Sequence, residues 1–327
     1  MASCADFNLV SADNGETQSK IRSDKQAVNN VKKIKNNIHG IVLLDKPTGM
    51  SSNHALQRVK RLFNAKKAGH TGSLDPLATG LLPICLGQAT KICEYLLHSN
   101  KKYTTVIKLG ETTDTLDSEG EILETRPVAV SDAQIAASLE QFRGDIKQVP
   151  PMYSALKKDG QPLYKLAREG IEIERPARDM TVHSLTAERL DDSRIRLEVH
   201  CSSGFYIRSL AHDIGQVLGC GAHVVELRRT AIKTVGVEQG ISIEQLEAMA
   251  DPHTIISSID SLIDDMPITK ISDTQAIRLI QGKSTPAEEA EVTPLSRFYT
   301  SNGRLFAMGE VSPSGLLKTH KIFVLTE

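Results

Sequence analysis

The sequence predicts an α+β protein with a large first domain and a small β-rich domain at its C-terminal end. Its 327 residues, 40% hydrophobic and 24% charged, are enough for one large core and a smaller second one. Apolar strand-like runs, such as 41–44 and 81–86, alternate with amphipathic helical segments. Beyond residue 265, short strand patterns are separated by turn dipeptides, Asn302-Gly303 and Ser314-Gly315.

The composition gives no indication of a membrane protein or a secreted protein. No run approaches eighteen apolar residues, and the first twenty residues have neither the basic nor the apolar region of a signal peptide. We therefore expect a cytoplasmic protein with no membrane partner. The cysteines are odd in number and lie mostly in apolar or strand-like sequence, which indicates reduced structural thiols: Cys4, Cys85, Cys93, Cys201 and Cys220.

The first part of the chain predicts a leader, a strand, a turn and a helix, in that order. Residues 1–37 are polar and aperiodic, which predicts a disordered leader. A buried strand at 41–44 then enters a tight turn at 47–49, and Ser51 or Ser52 is placed to cap the next helix. Its apolar residues share one face at helical spacing: Ala55, Leu56, Val59, Leu62 and Phe63.

The stretch 68–87, AGHTGSLDPLATGLLPICLG, predicts a loop of defined backbone shape followed by a buried strand. Asp75 stands before Pro76, which favours an extended or turn conformation and leaves its carboxylate free to point out of the loop. A lone Asp-Pro is more often a turn cap, so the residues alone leave that alternative open.

The string GHTGSLDPLATGLLP resembles the catalytic motif of the TruB family of pseudouridine synthases. The resemblance runs from about residue 40 to 230 and implies a mixed-sheet pseudouridine synthase fold that isomerises uridine 55 in the T-loop of tRNA. It implies that Asp75 is the catalytic carboxylate and that His70 helps to open the T-loop. Lys46 and Pro47, in the DKP turn, would support the floor of the site, although a plain strand-to-helix turn explains them almost as well.

Three further segments resemble motifs of the same family. In KKYTTVIKLG, Tyr103 would stack on the flipped uracil, although packing is the usual role of a strand tyrosine. In SSGFYIRS, Tyr206 and Arg208 point the same way if 204–208 is extended; Arg208 would pair with the catalytic Asp and keep it ionised, and Tyr206 would line the pocket. In GAHVVELRR, Leu227 would lie under the base, but a plain core strand explains it equally.

The segment 150–178 combines prolines, glycines and basic residues with one short helical pattern at 163–168. It predicts a projecting element. The family resemblance implies that this insertion grips the T-loop, whereas dyskerin-type relatives that depend on guide RNA lack one of this kind. We therefore expect an enzyme that acts on tRNA without guide RNA. The sequence does not determine the oligomeric state, and a monomer is our expectation.

Charge is distributed unevenly despite a net charge of −1. Between residues 40 and 110, ten Lys and Arg residues face three acids, a local charge of +7. This predicts a phosphate-binding face, for which a solvated helix surface is the alternative. The candidates for RNA contact are Arg58, Lys60, Arg61, Lys66 and Lys67, together with His70.

Other chemistries find little support. A zinc site built from His200, Cys201, Cys220 and His223 is disfavoured because the first two are strand neighbours that point to opposite faces. A glycoside hydrolase needs a second carboxylate, and none is evident near the loop. We expect neither metal nor cofactor. The predicted domains are 38–256, a catalytic domain, and 266–327, a small β-rich domain, with a Ser- and Asp-rich linker at 257–265 between them. By its order and size, the second domain resembles the PUA-like RNA-binding domain attached to TruB proteins.

Overall fold

The structure is a computed structural model that describes residues 35–288 and 291–324. The leader predicted over 1–37 falls almost entirely outside the described residues, as does Cys4. No helix within them is both long and apolar enough to cross a bilayer.

Four of the helices in the described residues begin at a serine whose side chain caps them. The described residues contain seven α-helices: Ser52–Leu62 (α1), Cys93–Leu97 (α2), Asp132–Glu140 (α3), Leu163–Arg168 (α4), Ile207–Val217 (α5), Ile243–Ala248 (α6) and Asp273–Ile280 (α7). The Ser51 hydroxyl accepts from the N–H of His54 at the start of α1. Three more helices begin with a capping box, in which a serine and the glutamine three residues later bond reciprocally: Ser131, Ser242 and Ser272.

Strands that precede residue 237 build a large sheet and two short ribbons. In chain order they are Gly40–Lys46 (β1), Ala68–His70 (β2), Thr79–Leu86 (β3), Lys101–Leu109 (β4), Glu111–Thr113 (β5), Ile122–Thr125 (β6), Gly144–Gln148 (β7), Lys157–Lys158 (β8), Gln161–Pro162 (β9), Arg178–Arg189 (β10), Arg194–Cys201 (β11), Ala222–Ile232 (β12) and Val235–Gly236 (β13). The sheet runs β1-β3-β12-β4-β11-β10-β7, with β2 added to β3 and β13 to β12. The β3–β12 pair is parallel and the other pairs are antiparallel, so the predicted mixed sheet is confirmed.

One close approach in this sheet fixes the position of the loop that carries Asp75. Gly80 of β3 pairs with Arg229 of β12, and its φ is +104°. A Cβ at Gly80 would lie 2.3 Å from the carbonyl oxygen of Arg229, so only glycine lets the two strands meet here. The C-terminal end of the Asp75 loop is therefore tied to the strand that carries Leu227.

The main apolar core lies against the large sheet. Val59 of α1, Ile135 of α3 and Leu210 of α5 all belong to the same buried cluster as strand residues such as Ile107. Val217 of α5 is 46% exposed. It is the last residue of its helix, where burial is hardest to maintain.

A five-stranded sheet forms the C-terminal part, confirming the predicted β-rich fold. Its strands are Ile268–Ile271 (β14), Thr285–Pro286 (β15), Thr293–Thr300 (β16), Leu305–Val311 (β17) and Leu316–Ile322 (β18). They are ordered β14-β16-β17-β18-β15, and α7 packs on them through Ala276 and Leu279. This arrangement is consistent with a PUA-like domain.

The segment 257–265, predicted as a linker from its Ser and Asp content, contributes three side chains to an apolar cluster. Ile259, Leu262 and Ile263 are buried and share an apolar cluster with Ile41 of β1 and Met308 of β17. Three aliphatic side chains are enough to draw the segment into the core, because their burial outweighs the polarity of their neighbours. The domain boundaries at 256 and 266 remain predictions.

Candidate active site

The loop 71–78, between β2 and β3, is anchored below Asp75. The Ser52 hydroxyl donates to the carbonyl oxygen of Leu74 at 2.9 Å and accepts from its N–H at 2.7 Å. Lys46, fully buried at the end of β1, donates to three carbonyl oxygens: those of Pro47 (2.8 Å), Met50 (2.6 Å) and Pro76 (3.4 Å). The ammonium group thus connects the DKP turn to the residue after Asp75.

Burial has an electrostatic effect on Lys46. It lowers the pKa of the ammonium group from 10.5 to about 8, and the negative charge of Asp75 opposes the shift. Lys46 is therefore still mostly charged at pH 7, although its pKa is only about one unit higher, and its charge lies near the Asp75 carboxylate.

Arg208 makes the most extensive polar contacts of the site. Its Nε lies 2.9 Å from Asp75 Oδ2, and its Nη1 lies 3.2 Å from Asp117 Oδ2. The guanidinium also donates to the carbonyl oxygens of Thr115 (2.9 Å) and Tyr153 (2.8 Å). Only 5% of its side chain is exposed, so one buried cation connects two carboxylates, the 111–125 ribbon region and the 150–178 insertion.

The Asp75 carboxylate lies at the boundary between protein and solvent, with 38% of its side chain exposed. Desolvation raises the pKa of Asp75, Arg208 is the main group that lowers it, and Asp117 raises it further. Arg208 therefore offsets the cost of holding a charged carboxylate in this position.

Asp117 corrects the expectation that no second carboxylate lies near the loop. Its side chain is 4% exposed, and it accepts from the Thr115 hydroxyl at 2.6 Å and from the Glu119 N–H at 3.1 Å. The Arg208 guanidinium contacts both carboxylates, Asp75 through Nε and Asp117 through Nη1. The acid-rich run ETTDTLDSEGE looked remote from the loop because no local pattern reveals a contact over so many residues.

The backbone at Arg208 is also not as expected. The segment 204–208 is not extended to its end, because α5 begins at Ile207, with Tyr206 as its N-terminal cap residue. Gln148 fixes this turn: its amide accepts from the Tyr206 N–H at 2.8 Å and donates to the Tyr206 carbonyl at 3.0 Å. Arg208 reaches the site from the first turn of a helix.

A cavity of 480 Å³ opens beside Asp75. Tyr103 of β4, Leu227 of β12, Tyr206 and Arg208 all line it, so the side chains that four separate segments predicted are brought to one place. Burial raises the pKa of both tyrosine hydroxyls, which keeps them neutral at physiological pH. The aromatic ring of Tyr103 and the aliphatic side chain of Leu227 are of the kind that stack on a flat base.

Two cations at the rear of this cavity were not predicted as site residues. Arg229 is 1% exposed, and its Nε and Nη2 donate to the carbonyl oxygens of Leu81 (2.7 Å) and Gly72 (3.1 Å). The Lys101 ammonium, also buried, donates to the carbonyl of Ser99 at 2.6 Å. The available signal was strand alternation, which puts Arg229 on the same side of β12 as Leu227.

The predicted RNA-binding residues do not share one environment. Arg61, Lys66 and Lys67 are exposed and Lys60 is partly buried. Arg58 forms a two-point ion pair with Glu247, both bonds 2.7 Å long, so its charge is already neutralised. Of the cations counted in the +7 region, Lys46 and Lys101 are buried, and the exposed basic face is therefore smaller than the sequence indicates.

His70 lies on β2 and lines a second cavity of 810 Å³ that also includes Asp75 and Arg208. Its Nδ1 is buried with no hydrogen-bond partner among the described residues. Burial, and next the charge of Arg229, lower the pKa of the imidazole. His70 is thus neutral near pH 7 and lies in the same cavity as Asp75.

The 150–178 insertion contains the β8–β9 hairpin and α4, whose bounds match the predicted 163–168 helix. Tyr153, near its start, donates its hydroxyl to Asp114 Oδ2 at 3.1 Å. The base of the insertion is therefore bonded to the same ribbon region that holds Asp117.

Comparison with known proteins identifies the family. Residues 60–207 match the model of the TruB family pseudouridylate synthase N-terminal domain, and 208–267 match that of the tRNA pseudouridylate synthase B C-terminal domain. A protein of Shewanella sp. (strain ANA-3) named tRNA pseudouridine synthase B is 49% identical over 301 residues, covering 88% of this chain and 95% of its own length. The chain belongs to the TruB family of pseudouridylate synthases. It is accordingly an isomerase.

A second TruB relative and one solved structure agree with this assignment. The tRNA pseudouridine synthase B of Ectopseudomonas mendocina (strain ymp) is 50% identical over 298 residues, 89% of this chain and 97% of that protein. The protein in a crystal structure of a Cbf5-Nop10-Gar1 complex superposes with a TM-score of 0.66 at 26% identity, over 88% of this chain and 85% of that one. The predicted pseudouridine synthase fold is confirmed.

The zinc alternative finds no matching geometry. Within residues 35–288 and 291–324, no three His, Cys, Asp or Glu side chains are grouped as ligands of one metal ion.

Proposed function

We propose that this enzyme converts uridine 55 in the T-loop of tRNA to pseudouridine, with Asp75 as the catalytic carboxylate. The observation that carries the proposal is the Asp75–Arg208 pair at the mouth of a cavity lined by Tyr103, Tyr206 and Leu227. The relatives named tRNA pseudouridine synthase B support tRNA as the substrate.

The reaction needs a base that leaves its stack in the T-loop and turns within a closed site. The C1′–N1 bond breaks, the uracil rotates, and C5 bonds to C1′. Asp75 acts at the sugar, either by attack on C1′ or by removal of the 2′ proton, and Arg208 keeps it ionised. The Tyr103 ring stacks on the base, Leu227 supports its other side, and Tyr206 closes the pocket.

Lys46 and Pro47 support the floor of the site, beneath Asp75. The Lys46 bond to the Pro76 carbonyl fixes the residue after Asp75, and its positive charge favours the ionised carboxylate. His70, in the same cavity as Asp75, helps to open the T-loop. Lys60, Arg61, Lys66 and Lys67 contact phosphates, whereas the ion pair with Glu247 leaves Arg58 a smaller part.

We further propose that the enzyme recognises the T-arm of tRNA in the cytoplasm, as a monomer and without guide RNA. The 150–178 insertion offers a protein element to grip the T-loop, and the C-terminal five-stranded sheet, over 266–327, offers a second RNA-binding surface. The reaction is an isomerisation with no change of oxidation state, so no cofactor is required.

The test is pseudouridine formation in an unmodified T-arm transcript, assayed in EDTA and without any other RNA. We expect product from the uridine transcript and none from a matched transcript with cytidine at the target position. Tight binding without product would instead favour a non-catalytic RNA-folding protein, the alternative that the exposed basic residues Arg61, Lys66 and Lys67 also fit.

A further inference from the structure

Two buried cations, Arg229 and Lys101, line the rear wall of the active cavity, and neither has a carboxylate partner among the described residues. Among the described residues, Arg229 contacts only neutral groups: the carbonyls of Leu81 and Gly72 and the hydroxyl of Tyr103. Lys101 donates to backbone carbonyls and lies close enough to Arg229 for the two charges to repel. Arg208, in contrast, contacts two carboxylates.

Sheet geometry directs Arg229 at the place where a base would lie. Leu227 and Arg229 are two residues apart on β12, so their side chains leave the same face of the sheet. Tyr103 is the register partner of Arg229 on β4, and the three side chains line one cavity. Arg229 is therefore beside the two residues proposed to hold the uracil.

A buried cation with no partner carboxylate is costly, since its lost hydration is only partly replaced by carbonyl dipoles. Such an arrangement is favourable where a substrate develops negative charge, because a fixed cation in a water-poor site needs no reorganisation during the reaction. Asp75 and Arg208 occupy the mouth of the cavity, and the free positive charge occupies the rear.

The proposed reaction generates negative charge at that position. When the C1′–N1 bond breaks, its electron pair stays on N1, and the uracil becomes an anion whose charge spreads over N1, O2 and O4. C5 then bonds to C1′ with that electron density, the C5 proton is lost, and N1 gains a proton. Atoms and charge balance without any oxidant or reductant.

We propose that Arg229 stabilises the anionic uracil between detachment and reattachment. This role rests on the proposed function and assigns work to a residue that the family resemblance left without a role. The Lys101 ammonium, which the carbonyls of Leu97 and Ser99 hold close to Arg229, adds positive charge to the same part of the cavity.

The experiment compares two T-arm RNAs, one with uridine and one with 5-fluorouridine at the target position, in single-turnover reactions. The measured rate is the loss of the N1-linked nucleoside in nuclease digests. Fluorine withdraws electrons and stabilises the uracil anion by itself, so detachment from this RNA depends less on the enzyme's charge. Arg229→Gln should slow uridine detachment by about 100-fold, as loss of a preorganised donor typically does, and 5-fluorouridine detachment by about tenfold or less.

Equal slowing of both RNAs by Arg229→Gln would overturn the proposal, because a merely structural defect does not distinguish the two bases. If wild-type enzyme makes no pseudouridine from the uridine RNA, the proposed function itself fails, which is a separate result. Arg229→Lys is the second variant should Arg229→Gln not fold. It keeps the charge, so the ratio of the two rates should stay within about threefold of the wild-type ratio, and a shift as large as that expected for Arg229→Gln would contradict the proposal.

Discussion

Replacing Arg208 with Met tests whether the buried guanidinium holds the two carboxylates, because Met keeps much of the volume and removes the charge. Breaking a buried ion pair from one side costs about 3–5 kcal/mol. Solvent screens part of the Asp75 contribution, since 38% of that side chain is exposed, whereas Asp117 is 4% exposed. We therefore expect a loss of about 3 kcal/mol in the free energy of unfolding, most of it from Asp117.

Urea denaturation of three variants separates these contributions. Adding Asp117→Asn to Arg208→Met removes the unpaired charge while the amide oxygen still accepts from Thr115 and Glu119, so about 1–3 kcal/mol should be recovered. Activity should not return, because Asp75 still lacks its partner. Arg196→Met, which breaks an exposed pair with Glu188, is the matched control and should cost about 0–1 kcal/mol. The reasoning fails if Arg208→Met costs no more than this control, or if the double variant recovers nothing.

Three further predictions concern the base, the floor and the RNA. Tyr103→Ala should lose more single-turnover activity than Tyr103→Phe, since stacking contributes about 1–3 kcal/mol per base; equal losses would instead implicate the hydroxyl. For Lys46, a folded-state pKa of about 8 against 10.5 means that the folded state binds fewer protons between these values. The stability of wild type relative to Lys46→Met should therefore rise between pH 8 and 10.5, by roughly 3 kcal/mol at about 1.36 kcal/mol per pH unit, and a flat difference in thermal or urea unfolding would refute this. In tRNA binding at several salt concentrations, Arg61→Ala should reduce the slope of log K by about 0.7–0.9, whereas Arg58→Ala, already paired with Glu247, should reduce it less; equal changes would contradict the pairing argument.

Local features of the fold were predictable because local chemistry determines them. The serine cap of α1 and the short helix at 163–168 follow from the residues within and beside them. The burial of the segment 257–265 was not predictable, because its composition is mostly polar and only tertiary packing buries its three aliphatic residues. Arg208 was placed beside Asp75 by family resemblance, but the start of α5 at Ile207 could not be read from an extended pattern.

The charges around the site show most clearly what could not be predicted from the sequence. Asp117 and Arg229 act on residues far away in the chain, through a buried ion pair and through strand register. No single-sequence pattern reveals such partners, because the contact depends on which strands become neighbours. Equally, the +7 count treated Lys46 and Lys101 as surface charges, although backbone carbonyls hold both in the interior.

The most direct test of the central claim measures Asp75→Asn for tRNA binding and single-turnover pseudouridine formation side by side. Asn keeps nearly the same shape and removes the charge, so isomerisation should be abolished while tRNA affinity stays at least as high as in wild type, because a negative charge has left a phosphate-binding surface. Substantial product from Asp75→Asn would contradict the account, and a joint loss of binding and folding would return Asp75 to the role of a structural turn residue.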